Sequence, residues 1–401
     1  MKLDENFSKQ AKIIAKLIIF RKKYSKKHSY EAVDKNANGE IICFKKGYFK
    51  RLHRITNEIF SRRPYLSEVI CEDDLEKEVR NILLDAKRKK LEKSKNVFAE
   101  KLRAMLSKIK NNVCVWIVIT PLGNIKIKQK QEIGAVNFVN GKNVQKYLSK
   151  NKINIEAKQW ITNYKEENYA ICSVSAHSSD KAQEKAKEKI EKILNWLRLF
   201  YPLHNFGIKG YYDEPKHYTF IPYNLKTKSI GHHGGITRQT GNIVISKQAI
   251  KDLKKFGLKK IQKIEKKENK TQLEKKILNA INWFGQTVKY DDLINNHLRV
   301  IAALDSLVLQ GPGEGNELFS ERIAYLYTKN KKDRKTIYKI AKKAYLKRNK
   351  IVHNADLEID KDNYIQIWQI QQQLIFILLK KTSKFKETAD IANFVEKEKF
   401  S

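Results

Sequence analysis

Residues 344–354 read Ala344-Tyr345-Leu346-Lys347-Arg348-Asn349-Lys350-Ile351-Val352-His353-Asn354 and close a long lysine-rich stretch with helical spacing. The spacing makes the last third of the chain an α-helical unit. The same residues bring an arginine, a side-chain amide and a histidine close together. A histidine moves protons near neutral pH. An arginine stays charged and grips a phosphate through two parallel hydrogen bonds. An amide beside them orients either one. These are three of the groups needed to cut RNA without a metal.

Upstream of the motif, apolar residues Ile277, Ile281, Phe284, Val288, Leu293, Leu298, Ile301, Leu304, Leu307 and Val308 suggest one or two helices. Gly311-Pro312-Gly313-Glu314-Gly315 breaks them; without a Gly-Lys-Ser/Thr ending it reads as a helix connector, not a phosphate loop. Further helices are predicted at roughly 318–328, 333–350 and 360–380. A lysine-dense run over 251–276 reads as a solvated face or an RNA backbone contact, with a domain junction at 266–272.

The central part has another character. Val113 to Thr120 is β-branched and continuous, as in a buried strand. Pro121 to Asn124 reads as a turn, Ile125 to Lys128 as a half-exposed strand and Tyr169 to Val174 as a further strand. Ser179 or Asp180 is predicted to cap a helix running to about Phe200. Nearer the start, residues 5–25 and 73–110 show helical spacing, with 83–95 almost all solvated. Asp34 to Gly39 reads as a polar turn, and Ile41 to Phe44 as a short strand. The predicted fold class is a multidomain α+β chain. It has a helical region over 1–110, an α/β or mostly β regulatory or recognition module over 111–265, an all-α bundle over 266–385 and a flexible tail over 386–401.

The chain has 401 residues, 41% of them apolar, so it can build real cores. Its 82 Lys and Arg against 44 Asp and Glu give a formal charge of +38. Such an excess self-repels unless an anion binds, and nucleic acid is the strongest candidate, because binding releases counterions. An anionic membrane surface is the rival, and a lysine-favouring codon bias is the bland explanation. Lysine excess does not distinguish RNA from DNA. Cys43, Cys71, Cys114 and Cys172 are scattered, so neither a zinc site nor a disulfide framework is expected. The charged start Met1-Lys2-Leu3-Asp4-Glu5 does not read as a signal peptide. Val113–Thr120 and Leu374–Leu379 are too short to span a bilayer. The expectation is a cytoplasmic protein with no membrane partner.

Over about residues 272–385 the chain resembles HEPN domains of the Apea-like type, helical ribonucleases and RNA-binding modules found in bacterial anti-phage defence proteins. The likeness rests on Glu317-x2-Ser320-Glu321-Arg322-Ile323-Ala324-Tyr325-Leu326, on a helix with Arg334, and on Tyr345 through His353 with its Arg-(polar)-x3-His pattern. Asp305 sits where the family often has an acid in its first long helix. Asn354 stands where relatives often carry glycine, which bears on the chain's exit more than on chemistry. The resemblance implies a helical bundle and metal-independent RNA cleavage at a homodimer interface, with no cofactor. His353 would deprotonate a ribose 2′-hydroxyl, Arg348 would stabilise charge at phosphorus and Asn349 would assist. The products would be a 2′,3′-cyclic phosphate and a 5′-hydroxyl. Lys347, Lys350 and Tyr345 are the expected RNA contacts. Some members only bind RNA, so a catalytically inactive RNA-binding or antitoxin-like module is the alternative.

Helix geometry constrains that site. Residues five apart point about 140° away from each other, whereas residues four apart share a face. Asn349 and His353 therefore sit together, and Arg348 and His353 do not unless the helix ends between them. Either the motif straddles a helix end or two chains complete one cleft across a two-fold axis. Resemblance and geometry together favour the composite cleft. Elsewhere, Gly231-His232-His233-Gly234-Gly235 reads as a loop. Tyr211, Tyr212, Tyr218 and Phe220, near Lys209 and Lys216, are candidates for base stacking. Trp116, Trp160, Trp196, Trp283 and Trp368 read as core.

Overall fold

The computed structural model describes residues 2–21, 30–35, 41–90, 96–150, 168–204, 206–208, 217–224, 233–236, 243–289, 292–311 and 313–400. Trp160, Lys209, Tyr211, Tyr212, Lys216, Gly231, His232 and most of the polar 34–39 turn lie outside them. The fold is mixed α+β with a helical C-terminal region. The chain forms two compact units: Met1–Val118 with Ser173–Ala186 and Ile221–Gly231, and Ile119–Cys172 with Lys187–Phe220 and His232–Ser401.

The first unit begins with α1 (Lys2–Ala15), followed by strands β1 (Ile18–Arg21), β2 (Tyr30–Lys35) and β3 (Ile41–Lys45). The helix predicted over 5–25 therefore stops at Ala15. Ile18, Ile19 and Phe20 pair instead with Phe44, Cys43 and Ile42 of β3, a non-local partner that helical spacing in one segment cannot reveal. The strand expected at Ile41 is β3, the centre of an antiparallel sheet ordered β1-β3-β2. Helices α2 (Tyr48–Arg62), α3 (Glu72–Arg88) and α4 (Val97–Asn111) follow. Three acids open α3 and Lys87 and Arg88 close it, which complements the helix dipole. Leu75, Val79, Leu83 and Ala86 recur every three or four residues along α3 and are buried with Phe7, Phe44, Tyr48 and Phe98. The solvated stretch predicted from Leu83 is thus wrong at Leu83 and Ala86, which continue the core stripe.

Strand β4 (Cys114–Gly123) comes next, then β5 (Ile125–Ile127), β6 (Gln131–Ile133), β7 (Val136–Asn140), α5 (Gly141–Lys150), β8 (Asn168–Ala176) and α6 (Ser179–Phe200). Strands β9 (Gly207–Ile208), β10 (His217–Asn224), β11 (His233–Ile236) and β12 (Ile243–Ile245) complete the β elements among the described residues. The largest sheet has the order β11-β10-β4-β8-β7-β6, with β9 beside β4. The turn expected at Pro121 begins three residues later. Leu122 and Gly123 pair with Ile208 and Gly207, and the reversal falls on Asn124 at φ 59°. The cap of α6 is Ser178, whose Oγ accepts from the Lys181 N–H at 3.3 Å, one residue before the predicted Ser179. His233 to Gly235, the last three of the five residues of the predicted loop, belong with Ile236 to β11, which pairs with His217 to Phe220.

In the second unit α7 (Lys247–Leu253) continues through a π turn into α8 (Lys259–Glu265). Six helices follow: α9 (Gln272–Lys289), α10 (Leu293–Val308), α11 (Asn316–Tyr327), α12 (Lys331–Asn354), α13 (Lys361–Lys381) and α14 (Thr388–Lys399). Their starts are written in side chains. Asp292, Asn330 and Asp360 each accept backbone N–H bonds at the head of α10, α12 and α13. The core of this bundle includes Ile277, Phe284, Ile301, Leu304, Phe319 and Leu374, all buried. The flexible tail expected after 385 is instead α14. Glu387 and Asp390 form a capping box, and Ile391 and Val395 are buried. Trp116 and Trp196 are buried as expected, but Trp283 is 40% exposed. Among the described residues no helix is long and apolar enough to cross a membrane.

Candidate functional site

Helix α12 positions the motif. It buries only Ala341, Ala344, Tyr345 and Ile351, so a narrow stripe of mostly small side chains meets the bundle and a wide lysine-rich surface is left outside. The helix runs unbroken through Arg348 and His353 to Asn354. It stops at Ala355, whose left-handed backbone (φ 52°) returns its N–H to the Lys350 carbonyl. The motif therefore does not straddle a helix end.

The two motif ends face different surroundings. Arg348 lies on the side of Tyr345. Its guanidinium carbon is 5.8 Å from the Tyr345 ring centroid, and its Nη1 donates to Asn349 Oδ1 at 2.9 Å. Tyr345 is buried with its ring 4.7 Å from that of Phe319. Asp305 of α10 also belongs to this side. Burial raises its pKa, and the nearby charges of Arg348 and Lys276 pull the other way without restoring the ordinary value.

On the opposite side of α12 lies a cavity of about 790 Å³. Its walls include Lys339, Lys342, Lys343, Lys347 and Lys350 of α12, and Asn349 and His353 also line it. Glu358, Ile359 and Asp360 from the approach to α13 and Asn363 from its first turn line it too. Arg348 is absent from the lining. Asn349 and His353 thus share one cavity wall, while Arg348 lies outside that lining and reaches only as far as Asn349. Lys343 pairs with Asp360 at 2.6 Å and Lys347 with Asp356 at 2.7 Å, which ties the segment after α12 back onto the helix. His353 itself is exposed.

A second histidine lines this cavity. His297 of α10 is 1% exposed, and its Nε2 lies 3.0 Å from the Ala344 carbonyl oxygen. A carbonyl only accepts, so Nε2 carries the proton and Nδ1 presents a lone pair. Nδ1 has no hydrogen-bond partner among the described residues. Burial lowers the His297 pKa against the opposing pull of the Ala344 hydrogen bond, and Lys347 adds to the lowering. His297 stays neutral near neutral pH. Sequence reading picked Leu298 for the apolar set instead. The missed signal is that the buried spacing of Val300, Ile301, Leu304 and Leu307 extends back to position 297.

Other parts of the motif-bearing segments hold the bundle together. Arg322 is nearly buried and grips Glu314 through two bonds of 2.7 Å, with a third to the Val308 carbonyl. It thereby fastens the glycine-rich connection between α10 and α11. Arg334 stacks over Tyr325 at 4.1 Å and donates to the Thr328 carbonyl. The lysines of 251–276 form mostly solvated faces of α7 and α8. Among the described residues no group of three or more His, Cys, Asp or Glu side chains is placed to hold a metal ion. Comparison with protein-family models, with curated proteins and with solved structures finds no match to this chain.

Proposed function

We propose that the C-terminal helical unit is a HEPN-like, metal-independent endoribonuclease acting as a homodimer. The observation that carries this reading is an exposed histidine, His353, beside Asn349 on the wall of a cavity ringed by five lysines. The lysines attract the RNA backbone. His353 takes the proton of a ribose 2′-hydroxyl, and the freed oxygen attacks the adjacent phosphorus. The P–O5′ bond breaks, leaving a 2′,3′-cyclic phosphate and, after protonation, a 5′-hydroxyl. Such a base contributes about 10²- to 10⁴-fold to the rate. The partner subunit's Arg348 would neutralise the developing phosphorane charge, because Arg348 of the same chain faces away. Leu346, Val352 and Leu357 are exposed around the motif and supply apolar surface for a chain-to-chain contact. A role in phage defence or as a toxin-like effector fits this chemistry.

The test is RNA cleavage in EDTA by the wild type and by His353→Ala and Arg348→Ala, with the product ends identified. Cyclic-phosphate ends from the wild type and loss in both variants are the expected result. Undiminished cleavage by both variants, or strict dependence on a divalent metal, sinks the mechanism. One observation favours a second reading, an RNA-binding module without cleavage: Arg348 is already bonded to Asn349. That reading requires salt-sensitive RNA binding and no cyclic-phosphate product.

A further inference from the structure

Resting on the reading of the chain as one that acts on RNA, we propose that the turn joining α7 to α8 docks unpaired RNA. Phe256 stacks on a base, and the neighbouring lysines hold the backbone. None of these residues lines the α12 cavity. The first observation is an aromatic ring held in water. Phe256 is 69% exposed, yet it stands on well-packed backbone. Ile250, Leu253, Leu258, Ile261 and Ile264 of the same run are buried. Their face of the helix is filled, and Phe256 stands outside it. A π turn over Lys254–Leu258 carries the ring, with Gly257 at φ 138°, a conformation that favours glycine. A Cβ at Gly257 would touch Phe376 and Leu379 of α13, and Lys260 Nζ donates to the Lys380 carbonyl at 3.1 Å. The turn is therefore anchored, and such turns concentrate at functional sites.

The second observation is unmet charge. Lys251, Lys254, Lys255, Lys259, Lys263 and Lys266 are exposed, and among the described residues none of them has an ion-pair partner. The acids of the same run are taken: Asp252 accepts from the Gln248 amide, and Glu265 pairs with Lys192 at 2.8 Å. Crowding shows at Lys260, whose pKa is lowered by burial and then by the charge of Lys263. A polyanion relieves that repulsion, and counterion release drives its binding. The third is the company of ring and charge. Aromatic rings on a basic surface bind single strands, because every unpaired base offers a flat face. A duplex hides those faces. A second copy of a chain with formal charge +38 would be repelled. Segments that enter a bilayer surface turn a wide apolar face outward, and the apolar face of α7 and α8 is already buried.

The experiment measures binding of the full chain, by fluorescence anisotropy, to a labelled 2′-O-methylated oligouridine, which lacks the hydroxyl needed for cleavage. A 2′-O-methylated duplex and vesicles of phosphatidylcholine with phosphatidylserine are the other probes. Phe256→Ala is expected to weaken the single strand about tenfold, within the worth of one stacked base, and to leave the duplex unchanged. Phe256→Trp should keep the wild-type affinity. Lys254→Gln, Lys255→Gln and Lys259→Gln together should weaken both nucleic acids. They should also flatten the slope of log affinity against log salt by about 2, at about 0.7 per lost phosphate contact on a single strand. All these side chains are exposed, so the variants leave the core intact. The inference is overturned if Phe256→Ala weakens single strand and duplex alike or neither, if the salt slope does not change, or if vesicles bind through Phe256 while the oligonucleotide does not. A chain that binds the single strand through Phe256 but leaves no cyclic-phosphate ends overturns the nuclease reading alone. A chain that makes those ends, with Phe256→Ala as active as the wild type at limiting RNA, overturns the platform alone.

Discussion

Arg348 and His353 stand on one continuous helix, and the cavity wall holds the histidine without the arginine. A site that needs both must draw them from two chains. In a two-fold dimer, each cleft would pair the His353 of one chain with the Arg348 of the other. If the chain is the proposed dimeric nuclease, mixing Arg348→Ala and His353→Ala chains should restore activity, since each mixed dimer has one cleft with both groups intact. With random exchange of chains, about a quarter of the wild-type rate should return. Mixtures as inactive as the separate variants would rule out this division of labour.

His297 predicts a pH signature in stability. Burial lowers its folded pKa from the ordinary 6.5, so the unfolded chain binds the proton more readily. The contribution to stability is present above 6.5 and is lost as pH falls below it toward the lower folded value. His177 is shifted in the same direction by burial, so His297→Phe should reduce the slope of stability against pH below 6.5 without abolishing it. Chemical denaturation at a series of pH values checks this. An unchanged slope would show that His297 is not held neutral.

Arg198 is fully buried, and its Nη1 donates to Glu191 at 3.1 Å and to Asn195 at 2.6 Å, while Nη2 donates to the Phe206 carbonyl at 2.6 Å. Burial works to raise the Glu191 pKa, but Arg198 and Lys289 outweigh it and hold the carboxyl below the ordinary range. Arg198→Ala strands that carboxylate with Lys289 alone. The expected loss is about 3–5 kcal/mol, the usual cost of breaking a buried pair from one side, read from urea unfolding. A loss below about 1 kcal/mol would place the pair among surface-type bridges.

Ala355 adopts φ 52° at the end of α12, a left-handed conformation that costs a residue with a Cβ roughly 1–2 kcal/mol. Glycine avoids that strain and gives back part of the gain in chain entropy. Ala355→Gly should therefore stabilise the protein by about 0.5–1 kcal/mol. A lowered melting temperature would contradict the strained cap.

Much of the helical architecture was legible because its signals are local. Asp292, Asn330 and Asp360 mark helix starts through their own oxygens, and the buried repeat of α10 is visible in its spacing. The separation of Arg348 from the cavity face that carries His353 likewise follows from helix pitch alone. What depended on distant partners was not legible. Strand β1 exists because β3 lies beside it. His297 joins the cavity because α10 meets α12 at the Ala344 carbonyl, and no local pattern records that crossing. Tyr345 illustrates the same limit: nothing local to it records that its ring packs against Phe319 of α11.

Gly285 of α9 has Asn195 of α6 packed directly over it, so that a Cβ added there would collide with the asparagine side chain. Asn195 cannot swing aside freely, because its Oδ1 receives the buried Arg198. Positions 195 and 285 are thus sterically coupled. A larger residue at 285 becomes admissible only where position 195 has first shrunk and Arg198 has found another acceptor, so the order in which the two positions can change is fixed by the contact itself.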